Sequence, residues 1–326
     1  MIDSLGMFDA TYALPEQCAT ARDAALGTEG LPPAEGISSV VVLGMGGSGI
    51  AGDVAASIAL DRCPVPITVS KQYECPEFVG PDTLVLAVSF SGQTEETIDA
   101  VHHAVGAGAR LVVLSAGGHL ARIADEWGAP VVPLDASIPM PRAAIGAMSV
   151  PLLIVLEQLG LLDGATDQVD AMVAHLARRR DELAAERNPA RSLADRIGRT
   201  LPIVYGGGAL GEAAAWRWKG QFNENPKVAA FANRIPELTH NEICGWGQHG
   251  DVTRQVSRRF EIVAEICEEI VAGVHRVEAK GDDRLSQLFD LILFGDLVTL
   301  HMAANEGLDP GPVPVLDEIK ARLRQN

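Results

Sequence analysis

Ser89, Ser91 and Thr94, with Gly92 among them, stand directly behind the apolar run Leu84-Val85-Leu86-Ala87-Val88, and Glu95-Glu96-Thr97 opens a helical pattern after them. The run has the length and β-branched content of a buried parallel strand. A strand that delivers hydroxyls and a glycine to a helix N-terminus makes an anion site. Free backbone N–H groups and the positive end of the helix dipole point at the ligand, and the hydroxyls add donors. Capping alone needs one hydroxyl. Three of them with a glycine point to a phosphate.

A second turn of this kind lies upstream. Ser38 to Leu43 reads as a strand and runs into Gly44-Met45-Gly46-Gly47-Ser48-Gly49, with a helix from about Ile50 to Leu60. The spacing Gly44-x-Gly46-x-x-Gly49 satisfies the dinucleotide fingerprint. That fingerprint also needs an acid at the end of the second strand for the ribose hydroxyls, and here the position is held by Ser70-Lys71. Ser48 puts a hydroxyl where a dinucleotide requires bare backbone. Two facing turns, one with Ser48 and one with Ser89, Ser91 and Thr94, suit one phosphate monoester, and neither NAD nor FAD is expected. No GxxxxGK[ST] occurs, which argues against a Walker-type NTPase.

The second group able to do chemistry lies in Trp216–Trp246, WRWKGQFNENPKVAAFANRIPELTHNEICGW. A helix from about Ala209 ends in Gln221, Asn223, Glu224 and Asn225, and Pro226 stops it. The negative end of a helix dipole opposes a carboxylate's charge, a setting suited to a general base. Glu237, Thr239, His240, Asn241 and Glu242 crowd the loop that follows. Taken singly, such a Glu is usually solvated and such a His is usually a structural hydrogen-bonder. Beside a phosphate cradle they suggest proton transfer on a phosphorylated small molecule.

The elements needed to position these groups alternate. Strands are expected at Ser38–Leu43, Val65–Ser70, Leu84–Val88, Arg110–Leu114 and Pro130–Leu134, with helices between them, which means βαβ units and a parallel sheet. A helical region, Ala143–Leu162 and Asp167–Glu186, leads to a second start: strand Leu201–Tyr205, Gly206-Gly207-Gly208, and the helix ending at Glu224. Further strands are expected at Phe260–Ile266 and Val274–Ala279, and a long helix at Asp283–Asn305. With 326 residues, two α/β domains of similar topology, 1–164 and 165–326, are the expectation. The run Arg178–Arg187 reads as a solvated helix face.

A net charge of −17 argues against nucleic acid or an anionic membrane as partner. The five cysteines are scattered, with no CxxC and no metal-ligand spacing, which fits a reducing cytosol and no structural zinc. No leader pattern is seen at the N-terminus, and the apolar run Met148–Leu162 is interrupted by Pro151, Glu157 and Gln158. A soluble, cytoplasmic protein without a membrane partner is the expectation.

Gly46-Gly47-Ser48-Gly49 with Ser89-x-Ser91-Gly92-x-Thr94 resembles the sugar isomerase (SIS) domain family. Pro141-Arg142-Ala143, Asn223-Glu224-Asn225 and Glu237-Leu238-Thr239-His240-Asn241-Glu242 resemble the bifunctional phosphoglucose/phosphomannose isomerases of archaeal type, in the phosphoglucose isomerase superfamily. The match runs from Leu14-Pro15-Glu16-Gln17 to Ile319-Lys320. It implies two SIS-type α/β/α sandwich domains, each with a central, mainly parallel sheet. It also implies a metal-independent aldose–ketose isomerase with no cofactor, acting on glucose 6-phosphate, fructose 6-phosphate and mannose 6-phosphate through a cis-enediol. Glu224 matches the base between C1 and C2, and Arg142 the cation that stabilises the enediolate. His240 matches a ring-opening residue reaching in from the other subunit of a homodimer, and Lys320 a lysine near the ring oxygen. Gly47, Ser48, Ser89, Ser91 and Thr94 match the phosphate anchors. Members often carry a hydroxyl residue in the Asp-Pro-x-Pro turn, linked in the family to acceptance of mannose 6-phosphate; this chain has Asp309-Pro310-Gly311-Pro312. The alternatives are another SIS-group sugar-phosphate enzyme, such as an aminosugar-phosphate isomerase or deaminase, and a non-catalytic sugar-phosphate sensor.

Overall fold

The structure, a computed structural model, describes residues 2–246, 256–268 and 271–323. The first half alternates strands and helices: α1 (Met7–Tyr12), α2 (Leu14–Leu26), β1 (Ser39–Leu43), α3 (Gly46–Ala59), β2 (Ile67–Ser70), β3 (Thr83–Ser89), α4 (Glu95–Gly106), β4 (Arg110–Ser115), α5 (Gly118–Trp127) and β5 (Val131–Pro133). The five strands are parallel in the order β2-β1-β3-β4-β5. Side chains leave a strand alternately to its two faces, so a sheet covered on both sides needs unbroken apolar runs. Val40, Val42, Leu84, Leu86, Val88, Val112 and Leu114 pack into the large core that includes α2 and α3. Val41, Leu43, Val85, Ala87 and Val113 pack on the other face against Ile98, Val101 and Ala104 of α4 and Leu120 and Ile123 of α5. This is an α/β/α layering around a parallel sheet.

A 3-10 turn, Pro141–Ala143, precedes α6 (Ile145–Gln158), α7 (Ala165–Ala184) and α8 (Pro189–Ile197). Then come β6 (Ile203–Gly207), α9 (Gly208–Glu224), β7 (Phe231–Ile235), two 3-10 turns (Glu237–His240 and Glu242–Gly245), α10 (Val256–Glu268), α11 (Arg284–Asn305) and α12 (Pro314–Leu323). The start of this half repeats the first: strand, a left-handed glycine (Gly208, φ +63°, as Gly46 at φ +53°), helix. Among the described residues its sheet has two parallel strands, β6 and β7.

Three sequence expectations fail here. Phe260–Ile266 is helical, part of α10: Val263, Ala264 and Cys267 are buried while Glu261 and Glu268 are exposed, a 3.6-residue period. Val274–Ala279 forms no regular element. Nor is Arg179 solvated; it is buried, and its Nε donates at 2.6 Å to Asp290 on α11. Helix α11 is long and apolar enough to cross a bilayer by length and composition, but 83 % of its apolar window is buried inside the protein, as in a core helix.

Candidate active site

In the sheet order 2-1-3-4-5 the connections leave β1 and β3 in opposite directions, and the crevice at their carboxyl ends is the usual ligand position of an open α/β sheet. Both candidate turns fall there. After β1 the chain enters α3 at once, so Gly46, Gly47 and Ser48 form the helix's first turn, earlier than the sequence suggests. Ser48 is buried, and its hydroxyl donates to Met148 Sδ at 3.3 Å. After β3, Ser89 is fully buried and its Oγ lies 2.8 Å from Thr94 Oγ1; Thr94 precedes the first turn of α4. Ser91 is exposed, and its Oγ accepts from the Gln93 N–H at 3.2 Å. Gly92 has φ +64°, and a Cβ there would sit 1.8 Å from the Gly117 carbonyl oxygen, so only glycine lets this turn close.

The loop that carries Arg142 lies against the first of these turns. A Cβ on Gly47 would come within 3.2 Å of the Pro141 carbonyl oxygen. Arg142 is only 3 % exposed, and its guanidinium is anchored on two of its three nitrogens. Nε donates to Asn225 Oδ1 at 3.1 Å, and Nη2 to the carbonyls of Gly311 at 2.6 Å and of Pro310. The remaining arm, Nη1, points to Glu224 Oε2 at 3.5 Å. Burial pushes the Arg142 pKa down; Glu224 opposes that shift and the nearby Arg217 adds to it. Glu224 is the last residue of α9 and keeps a third of its side chain exposed. An arginine and a carboxylate meet at the open end of the site, with the arginine's other donors already paired.

Behind Arg142 stands a buried ion pair. Arg217 Nη2 donates to Asp296 Oδ2 at 2.6 Å and to the Arg142 carbonyl at 2.6 Å. Burial drives the Asp296 carboxyl up, and Arg217 pulls it back. Asn225 Nδ2 donates to Thr299 Oγ1 at 2.9 Å, one turn along the same helix. Arg217, Asp296 and Thr299 are missed by the motif reading. The signal available was Asp296 within the apolar stretch Leu291–Leu300, since a buried carboxylate requires a cation. Lys227, whose Nζ donates to the carbonyls of Glu224, Asn225 and Asp309 and lies 3.5 Å from that of Pro310, is also missed, and no sequence pattern marks it.

The other candidates are placed differently. His240 ends the first 3-10 turn after β7, exposed, with Nε2 3.4 Å from Arg259 Nη1. Among the described residues no hydrogen bond or ion pair joins it to Glu224 or Arg142 in the same chain. The neighbouring Glu242 accepts from the Tyr205 hydroxyl and from Asn233 Nδ2, which ties this loop to β6 and β7. Lys320 lies on α12, and its side chain is outside the described residues. Gly311 gives its carbonyl to Arg142, and a Cβ there would meet Leu5 Cγ at 2.8 Å, so a side chain at this position requires Leu5 to move. Among the described residues no group of three or more His, Cys, Asp or Glu side chains is arranged to hold a metal ion. All five cysteines are free thiols.

Comparison with known proteins identifies the family. Residues 186–323 match the bacterial phospho-glucose isomerase C-terminal SIS domain family. The chain is 34 % identical to the bifunctional phosphoglucose/phosphomannose isomerase of Caldicellulosiruptor bescii over 98 % of this chain and 99 % of that one. It is 29 % identical to the protein of the same name from Thermoplasma acidophilum, covering 88 % and 90 %. Among solved structures, a hypothetical protein from Thermus thermophilus superposes with a TM-score of 0.72 at 16 % identity over 99 % of this chain and 91 % of that one, a likeness of fold. With a third of its residues shared over nearly its whole length, the chain belongs to the bifunctional phosphoglucose/phosphomannose isomerase family.

Proposed function

We propose that this protein interconverts glucose 6-phosphate and mannose 6-phosphate with fructose 6-phosphate, without a metal or cofactor, through a cis-enediol. The observation that carries the reading is the meeting of Glu224 with the free Nη1 arm of a buried, otherwise saturated Arg142, on a loop seated against Gly47 of the phosphate turn. The phosphate is held by the N-terminal turns of α3 and α4 with Ser48, Ser89, Ser91 and Thr94. This anchors the sugar's far end and presents C1 and C2 to Glu224. The Glu224 carboxylate takes the C2 proton of the open-chain aldose as the C1 carbonyl oxygen gains charge; the C2 hydroxyl proton passes to O1 through the cis-enediol, and Glu224 returns its proton to C1 as the C2 carbonyl forms. Arg142 Nη1 faces the oxygen on which charge develops, where a fixed cation lowers the barrier most. Lys320, from α12, sits near the ring oxygen in this reading.

The same reading makes the protein a cytoplasmic homodimer in central sugar-phosphate metabolism. It divides the chain into SIS domains 1–164 and 165–326. Gly164, in the left-handed conformation at φ +67°, precedes α7, and α7 packs on α2 and α6 as well as on α11. His240 assists ring opening in the neighbouring subunit's site, a role its exposure permits.

The test of activity is a coupled assay on chelator-treated protein, run separately with glucose 6-phosphate and mannose 6-phosphate. Turnover on both is expected. Turnover on glucose 6-phosphate alone makes the Gly311 turn a specificity element, and tight binding without turnover favours a sensor. The shared site is tested by mixing inactive Glu224→Gln and His240→Ala subunits. Each mixed dimer carries one site with both native residues, so about a quarter of wild-type activity should return at equal mixing. No recovery despite proven subunit exchange rejects the shared site.

A further inference from the structure

Lys227 breaks the local rule at the end of α9. It is a non-glycine residue with φ +57°, in the left-handed region that a Cβ disfavours. Its Nζ donates to the carbonyls of Glu224 (3.0 Å), Asn225 (3.2 Å) and Asp309 (2.7 Å), with that of Pro310 at 3.5 Å. The first two are carbonyls at the C-terminal end of a helix, which lack intrahelical partners and favour a cation. The other two belong to the turn behind α11, whose Pro310 and Gly311 carbonyls receive Arg142 Nη2. Pro310 is therefore contacted by both cations. The unfavourable backbone conformation is retained where the ammonium joins the residue bearing the base to the turn that holds the arginine.

We propose that Lys227 is a positioning residue for the isomerisation read above: its ammonium ties the Glu224–Asn225 end of α9 to the Asp309–Gly311 turn and so fixes Glu224 relative to Arg142 Nη1. The inference rests on the isomerase reading. Without the ammonium, carbonyl dipoles converge with Arg142 as their remaining cation, and the guanidinium is drawn towards the turn and away from the reacting oxygens. The phosphate turns hang on β1 and β3 and do not depend on this tie. Loss of Lys227 should therefore fall on turnover and spare substrate affinity.

The experiment compares kcat and KM for fructose 6-phosphate in wild type, Lys227→Met, Lys227→Asn and Lys227→Cys of the full-length chain. Asparagine tolerates the left-handed conformation, so it separates loss of charge from relief or increase of backbone strain. A displacement of about 1 Å between catalytic groups costs on the order of 100-fold in rate, so all three variants should lose about 30- to 100-fold in kcat, with KM within about threefold of wild type. Treating Lys227→Cys with 2-bromoethylamine rebuilds an ammonium of nearly the same reach and should recover at least about a quarter of the wild-type kcat, wild type treated in parallel being the control. Should Lys227→Met fail to fold, the asparagine variant and the alkylated cysteine carry the test. A kcat within threefold of wild type in folded variants, whatever their Tm, overturns the proposal, as does a raised KM at unchanged kcat. Wild type without isomerase activity rejects the isomerase reading and this inference with it; active wild type with unaffected variants rejects the inference alone.

Discussion

Replacing Glu224 by Gln should lower kcat by about 10³-fold, the middle of the range for a lost general base, while fructose 6-phosphate still binds. The amide is isosteric with the carboxylate and can still face Arg142 Nη1, but it cannot take a proton from C2. Binding survives because the proposed phosphate contacts lie on the turns after β1 and β3, apart from the α9 terminus that carries Glu224. Stability changes little: Glu224 is a third exposed, and Arg142 keeps Asn225, Pro310 and Gly311 as acceptors. Two measurements check this. Calorimetric titration with fructose 6-phosphate should give a Kd within a few-fold of wild type. Incorporation of solvent deuterium at C1 and C2 in D₂O should vanish in step with turnover. Exchange that persists at the wild-type rate removes Glu224 as the base.

What could be read from the sequence follows the distance over which each feature is assembled. The two turns proposed to hold the phosphate are legible because each is a strand, a turn and a helix start within about fifteen consecutive residues. Register between β1 and β3 then brings the two halves together without further information, since Leu43 pairs with Ala87 two residues before Ser89. Arg142 and Glu224 are 82 residues apart and the Arg142–Gly311 bond spans 169, so no local pattern predicts either contact; the helix end marks Glu224 as a candidate base, and only the family resemblance names Arg142. Lys227 had no signal at all, because its role lies in backbone carbonyls that three-dimensional folding collects. Phe260–Ile266 reads as a strand for a different reason. Phe260, Ile262, Val263, Ala264, Ile266 and Cys267 contain both a short β-branched apolar run and a helical stripe. In so short a run the two periods overlap, and packing of α10 against β6 and β7 decides between them.

The second large effect belongs to Arg142, and its size comes from the way the residue is buried. Removing the whole side chain mixes two losses: Arg142→Ala would leave Asn225 Oδ1 and the Gly311 carbonyl without their donor in the interior and the Pro310 carbonyl with Lys227 alone, so destabilisation of about 1–3 kcal/mol per orphaned acceptor would accompany any loss of rate. Arg142→Lys separates them. The ammonium keeps the charge and can reach the Gly311 carbonyl. It cannot satisfy that carbonyl, Asn225 and the open arm together, because a point charge replaces a planar fork. In the proposed mechanism the reaction uses the open arm, so the lysine variant should fold with a modest fall in Tm and lose about 10²- to 10³-fold in kcat, the cost of one preorganised donor at a developing oxyanion. The discriminating measurement is inhibition by a phosphorylated aldonate whose carboxylate imitates the enediolate charge. Binding of such an analogue should weaken by nearly the factor lost from kcat/KM, while KM for fructose 6-phosphate moves little, because an interaction present only in the transition state is reported by the analogue and not by the substrate. If KM rises in the same proportion and the analogue is no worse affected than the substrate, Arg142 holds the ground-state sugar. The Nη1 arm would then be a binding contact, and stabilisation of the enediolate would have to come from another group around Glu224.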